Sequence, residues 1–189
     1  MKIAFLIFNG MTSLDFIGVY DPVIRLKTMG FRDDVQWDIC AFTEKVTDDS
    51  GLVFTPTQIR EALDVYDLLI VPGGMGTRKL MHDPEFIHWL QSAKNIPLKA
   101  SVCTGSLLLG AAGFLQSKKA TTHPNAFQLL KEYCQEVMDQ RIVPAEGVVT
   151  SRGVTSGIEL GLYLCEKFAG HEVVEKIRVQ MDYKTEDSR

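Results

Sequence analysis

The chain opens its pattern with an unbroken apolar run at residues 3–8, closed by Asn9 and Gly10. With no polar residue alternating through it, that run reads as a strand buried on both faces, as in a parallel sheet. Helical spacing follows over residues 14–29. Residues 36–42 read as a second strand, and residues 45–54, with a turn at 48–51, as a hairpin. A short helical piece is expected at 59–63, then a third buried strand at 67–71, stopped abruptly by Pro72, Gly73 and Gly74. Asp83 and Pro84 supply an N-cap and a proline at the first helical position, so residues 84–94 form a helix before the strand at 99–102. Beyond it the pattern predicts a helix at 125–136, paired strands at 141–143 and 148–150, and helices at 155–168 and 172–181.

Strand and helix in alternation imply an α/β fold, a mostly parallel sheet with helices on both faces. Ligands of such folds bind beyond the carboxyl ends of the strands. That rule selects the segments 9–15, 72–76 and 103–106, which are expected to converge on one pocket.

Composition narrows what that pocket serves. The 189 residues are 46% hydrophobic and predict one domain spanning 1–189 with a sizeable core. A net charge of −4, with scattered lysines and arginines, argues against nucleic acid or an anionic membrane as partner and favours a small-molecule substrate. No apolar run reaches the roughly 18 residues of a membrane span, and the start MKIAFLIFNG lacks the features of a signal peptide, so a cytoplasmic protein is expected. Cys40, Cys103, Cys134 and Cys165 form no C-x-x-C pair and no ligand cluster with the dispersed histidines, so neither a structural disulfide nor a zinc site is expected. Cys40 and Cys165 lie in apolar runs and read as core residues.

Cys103 is different. In KASVCTGSLLLGAAG a β-prone run delivers this cysteine to small residues that open an apolar helix. A sharp strand-to-helix turn would expose its sulfur beside the free N–H groups of Thr104, Gly105 and Ser106, and a helix start favours thiolate. Cysteine is also a common core residue; Gly105 and its polar neighbours favour the reactive reading.

Asp15, in NGMTSLDFIG, has two readings. Thr12 followed three residues later by Asp15 fits a capping-box-like helix start. Alternatively the carboxyl contacts Cys103, where a neighbouring thiolate would raise its pKa and leave it a proton to donate. In VPGGMG, Gly73 and Gly74 let backbone N–H groups approach a ligand closely and could cradle a developing anion; the same turn also reads as a simple connector. His123, held extended by Pro124, is a candidate base or, equally, a structural hydrogen-bonding residue. Glu146, Ser151, Arg152 and Thr155 are candidates to line the same end of the sheet, or to be solvated.

LDFIG, LLIVPGGMG, SVCTGSLLLGAAGFL, ATTHPNAF and VVTSRGVTSGIELGLYL together resemble the ThiJ/PfpI superfamily, of class I glutamine amidotransferase-like fold, over nearly the whole chain. SVCTGS followed by LLLGAAGFL looks most like its isonitrile hydratase branch. The resemblance implies a flavodoxin-like three-layer sandwich, a homodimer and no cofactor. It implies Cys103 as nucleophile at an elbow, Asp15 as acidic partner, Thr104 as the next active-site residue and Gly74 as an oxyanion-type donor. The implied reaction is hydration of an isonitrile to an N-substituted formamide. Thr104 stands where intracellular peptidase relatives carry histidine, Val19 where proline is usual, and TTHPNA in place of TTHW. The last of these, with TSRG, looks more like the oxidative-stress branch, whose resemblance implies glyoxalase- or deglycase-like attack on 2-oxoaldehydes, or a stress sensor read through Cys103 oxidation.

Overall fold

The computed structural model describes residues 1–184. The first apolar run forms β1 (Lys2–Ile7) and leads to α1 (Ser13–Thr28), then β2 (Gln36–Ala41), the hairpin β3 (Val46–Thr47) and β4 (Val53–Phe54), and β5 (Gln58–Ile59). There follow β6 (Leu68–Val71), α2 (Thr77–Leu80), α3 (Pro84–Gln91), β7 (Leu98–Val102), α4 (Gly105–Ala111) and β8 (Lys119–Ala120). The chain continues through α5 (Phe127–Leu130), β9 (Glu136–Val137), β10 (Ile142–Ala145), β11 (Val148–Ser151), α6 (Ser156–Ala169) and α7 (His171–Gln180). Among the described residues no helix is long and apolar enough to cross a membrane.

The main sheet has the order β10-β11-β7-β6-β1-β2-β5, parallel except at the β10–β11 pair. Its middle is β1, β6 and β7, whose residues are almost all buried, which is why these strands carry continuous rather than alternating apolar runs. Helices α1 and α6 pack on each other, and α4 packs against β6 and β7. The chain reverses its direction of travel across the sheet between β1 and β6. A crevice therefore opens at their carboxyl ends, beside that of β7.

The α1–α6 contact sets the position of α1. A Cβ on Gly161 would collide with the ring of Pro22, and one on Gly157 would lie 3.5 Å from the carbonyl oxygen of Asp15. Gly161→Ala is expected to push the two helices apart, costing about 1–3 kcal/mol, because overpacking a tight contact forces backbone to move. A lowered thermal midpoint would show it; an unchanged midpoint would mean that α1 is not held this closely.

Two expected helices are not formed as the periodicity suggested. The 59–63 segment starts as edge strand β5, paired with Cys40 and Ala41. Arg60 then takes a positive φ of 55°, the Glu61 carbonyl accepts from Trp89 Nε1 at 2.7 Å, and the Leu63 N–H donates to Ser92 Oγ at 2.9 Å. Backbone groups that a helix would have satisfied are taken by side chains in and just after α3. The expected 125–136 helix shrinks to a 3-10 turn (Pro124–Ala126) and one α turn, α5. After it, Gln135 and Met138 donate to the carbonyls of Lys118 and Ala120, so the segment becomes a partner strand for β8. The short α2 was not anticipated. Asp83 caps α3 as expected, accepting from the N–H groups of Glu85 and Phe86.

Candidate active site

Cys103 sits at the turn between β7 and α4 with φ at +54°, a left-handed conformation that costs a non-glycine residue about 1–3 kcal/mol unless its surroundings impose it. They do. Its N–H donates to the Ser151 carbonyl at 3.0 Å, and its carbonyl accepts from Thr122 Oγ1 at 3.0 Å and Ser106 Oγ at 3.2 Å. Negative charge on the sulfur is favoured by the neighbouring N–H and hydroxyl of Thr104 and opposed by the carboxyl of Asp15 beside it.

Asp15 is fully buried in the first turn of α1. Oδ2 accepts the Gly73 N–H at 2.9 Å, while Oδ1, also buried, has no hydrogen-bond partner among the described residues. Burial lifts its pKa from the ordinary 3.8 to about 7, against the lowering effect of the Gly73 N–H and the Cys103 contact, with a smaller upward push from the charge of Asp49. The capping-box reading does not hold. Thr12 makes no side-chain cap; its hydroxyl donates to Asp49 Oδ2 at 2.8 Å, and Ser13 bonds Asp48. These two bonds tie the β3–β4 hairpin over the start of α1 and leave the Asp15 carboxyl pointed inward.

The expected thiolate is corrected by the same geometry. Burial, and next to it the negative charge of Asp15, push the Cys103 thiol up to about 12, although both Thr104 donors pull it down. A helix start contributes about 0.3–1 kcal/mol, less than one pH unit, whereas burial can contribute several. Cys103 therefore rests as a thiol beside a carboxyl that titrates near neutrality.

The glycine turn adopts a role other than that expected. A Cβ on Gly73 would lie 2.5 Å from the Thr104 nitrogen and 2.8 Å from Asp15 Oδ2, so only glycine fits between acid and elbow. Its N–H is spent on Asp15. The N–H of Gly74, which has φ +126°, donates to Thr104 Oγ1 at 3.0 Å. Neither is a free oxyanion donor; they hold the acid and the threonine in place. The three strand ends converge as expected: Thr12 donates to the Gly73 carbonyl and Gly76 to the Gly10 carbonyl, each at 2.9 Å.

His123 is held by its own loop, its Nδ1 accepting the Asn125 N–H at 3.2 Å. Among the described residues it is not one of the groups that shift Cys103 or Asp15. Its neighbour Thr122 is the residue that reaches the elbow. Glu146 lies at the opposite end of the sheet, in the β10–β11 turn beside Gly147, whose carbonyl accepts from Lys99. Arg152 pairs with Asp139, Thr155 accepts from Arg141 at 3.3 Å, and Ser151 braces β7 through the Ser101 carbonyl at 3.1 Å. Cys40 and Cys165 are buried in the core, as expected. Thr77, Thr122, Asp48 and Asp49 are site neighbours that the sequence reading did not single out. Only the spacing of Thr77, three residues after Gly74, gives a local signal, that of a hydroxyl turning back onto the carbonyl of a tight turn.

This strand-to-helix elbow, with a buried acid beside it, lies in a segment matched throughout by a known family: residues 1–167 match the DJ-1/PfpI family model. The chain belongs to the DJ-1/PfpI family. Isonitrile hydratase of Pseudomonas putida is 35% identical over 97% of this chain and 78% of its own length. DJ-1 homolog A of Arabidopsis thaliana is 28% identical over 60% of the chain, which covers only 30% of that longer relative. Among solved structures, a ThiJ/PfpI family protein from Pseudomonas syringae superposes with a TM-score of 0.89 at 28% identity, covering 98% of this chain and 76% of its own. The flavodoxin-like fold of the family is thus present, with Cys103 at its strand-to-helix elbow.

Proposed function

We propose that this DJ-1/PfpI protein hydrates an isonitrile to an N-substituted formamide, with Cys103 as nucleophile and Asp15 as the group that moves the proton. The observation that carries the reading is a cysteine held at a strand-to-helix elbow with φ +54° beside a fully buried carboxyl, whose pKa burial raises to about 7. The similarity to isonitrile hydratase supports the choice of substrate class.

The terminal carbon of R–N≡C must gain both a nucleophile and a proton. As the Cys103 sulfur bonds to that carbon, its proton passes to the Asp15 carboxylate. Asp15 then delivers it to the same carbon, giving the thioimidate Cys103–S–CH=N–R. Water adds across the C=N bond, its oxygen to carbon and a proton to nitrogen. Collapse of the adduct breaks the C–S bond, returns the proton to sulfur and releases R–NH–CHO. The Thr104 N–H and hydroxyl donate to sulfur while it carries negative charge. Apart from the water and the isonitrile, each step uses Cys103, Asp15 or Thr104.

Wild-type protein is expected to convert cyclohexyl isocyanide to N-cyclohexylformamide at the same rate with and without EDTA, measured by chromatography of the product. Among the described residues no group of three or more His, Cys, Asp or Glu could hold a metal. Inactivity on alkyl and aryl isonitriles, with turnover of methylglyoxal instead, would replace this reading with the glyoxalase-like one. Inactivity on both, with selective uptake of two oxygens by Cys103 under mild peroxide, would replace it with a stress sensor; the DJ-1 relative keeps that reading in view.

A further inference from the structure

One N–H at the elbow is left over. Among the described residues no oxygen accepts from the Thr104 nitrogen, although Thr104 is buried. Unpaired N–H groups are rare inside proteins, and one that borders reacting groups is a donor kept for what binds there. The point where a Gly73 Cβ would stand lies 2.5 Å from that nitrogen and 2.8 Å from Asp15 Oδ2, so the donor and the acid line the same crevice. The direction of the N–H is set from the other end of its peptide. In a planar trans peptide the carbonyl and the N–H point opposite ways, so whatever holds the Cys103 carbonyl also aims the Thr104 N–H. Two hydroxyls hold it, Thr122 Oγ1 at 3.0 Å and Ser106 Oγ at 3.2 Å, both on fully buried residues, and together they fill its two lone pairs.

We propose that Thr122 is a positioning residue: by pinning the Cys103 carbonyl away from the crevice, it aims the Thr104 N–H at the negative charge that develops when Cys103 reacts. Ser106 lies three residues along the same segment and moves with it. Thr122 arrives on a separate loop, anchored on β11 by the Thr121 N–H, which donates to Thr150 Oγ1 at 2.8 Å. It therefore gives the elbow a fixed point outside itself. Without the Thr122 hydroxyl one lone pair of a buried carbonyl is open, the peptide plane rocks about its flanking bonds, and the donor leaves the line on which its strength depends. The inference rests on Cys103 as the reacting thiol, which belongs to the reading above, and not on which substrate it attacks.

The test follows two reactions of the same thiol, both well below the thermal midpoint: turnover of cyclohexyl isocyanide, and alkylation of Cys103 by iodoacetamide at fixed pH, read by peptide mass with the buried Cys40 and Cys165 as internal references. Removing such a donor outright costs about 10²–10³ in kcat. Misaiming it costs part of that, so Thr122→Val should lower kcat about tenfold with KM unchanged, because the interaction is made only as charge develops. Thr122→Ser keeps the hydroxyl and should restore kcat. Thr122→Val combined with Ser106→Ala frees the carbonyl altogether and should bring the loss to about a hundredfold. Alkylation should fall about three- to fivefold in Thr122→Val and recover in Thr122→Ser: a donor lost from a charged sulfur raises its pKa by about one unit, and the greater nucleophilicity of the more basic thiolate offsets part of the loss. A purely structural role would lower the midpoint and leave both rates as they are. An unchanged rate in either reaction of Thr122→Val, or a loss that Thr122→Ser does not recover, overturns the proposal. Should Thr122→Val be too unstable to purify, Thr122→Ala removes the same hydroxyl and carries the same test. Absence of isonitrile turnover in wild type would sink the substrate reading, and the alkylation rates would then decide the role of Thr122 alone.

Discussion

Cys103→Ala is expected to lower isonitrile turnover by about 10⁴-fold or more while leaving the thermal midpoint almost unchanged, because it removes the atom that bonds to carbon and little else. The elbow is held by main-chain atoms and by hydroxyls of other residues, namely the Ser151 carbonyl, Thr122 and Ser106, none of which bonds through the sulfur. Alanine keeps the φ of +54° and the strain that goes with it. Glycine does not. Cys103→Gly should be equally inactive yet more stable than Cys103→Ala by about 1 kcal/mol or more, since glycine adopts that conformation at little cost. Paired thermal unfolding and product assays check both statements. Residual turnover in Cys103→Ala above about one part in a hundred would place the nucleophile elsewhere, and equal stability of the two variants would mean that the elbow is not strained.

What the sequence disclosed, and what it hid, follows from the range of the interactions. The three segments of the site were legible because each ends a continuous apolar strand, and the carboxyl-end rule needs only strand order to bring them together. Cys103 and Asp15 could be paired on that basis. The protonation state of Cys103 could not be. It depends on burial created by α1 and the glycine turn, both distant in sequence, and on a carboxyl whose own pKa is set partly by Asp49 across the hairpin. The same blindness explains Gly73 and Gly74: a glycine-rich turn announces accessible N–H groups, but only the fold shows that Asp15 and Thr104 have already taken them. Thr12 resembled a cap because its spacing to Asp15 is local, and it failed as one because Asp49 offered its hydroxyl a better partner. At 125–136 the apolar spacing suited a helix, but backbone bonds to residues 118 and 120 drew the chain into a strand pair.

Asp15→Asn is expected to raise stability, speed the alkylation of Cys103 and abolish turnover by about 10²–10⁴-fold, three changes that no purely structural role for this residue would produce together. The stability effect follows from proton linkage. The folded pKa of about 7 lies above the ordinary 3.8, so between those values the folded state binds more protons than the unfolded one, and stability falls as pH rises through that window. Above pH 7 the full cost of a buried carboxylate is present, at most about 4 kcal/mol, and a neutral asparagine of the same shape avoids it. Its amide oxygen can still accept the Gly73 N–H. Wild type should therefore be less stable at pH 8 than at pH 5, and Asp15→Asn should flatten that difference. Alkylation accelerates because the negative charge of Asp15 is one of the causes holding the Cys103 thiol up, and the amide carries none. Turnover falls because the amide neither takes the thiol proton nor returns it to carbon. The wild-type kcat/KM should rise with pH through about 7, as the pair reaches the singly protonated state in which sulfur attacks and carboxylate receives, and this ascending limb should be missing from any residual activity of the variant. A variant that loses turnover with slower alkylation and a lowered midpoint would show instead that Asp15 serves to build the site and not to move its proton.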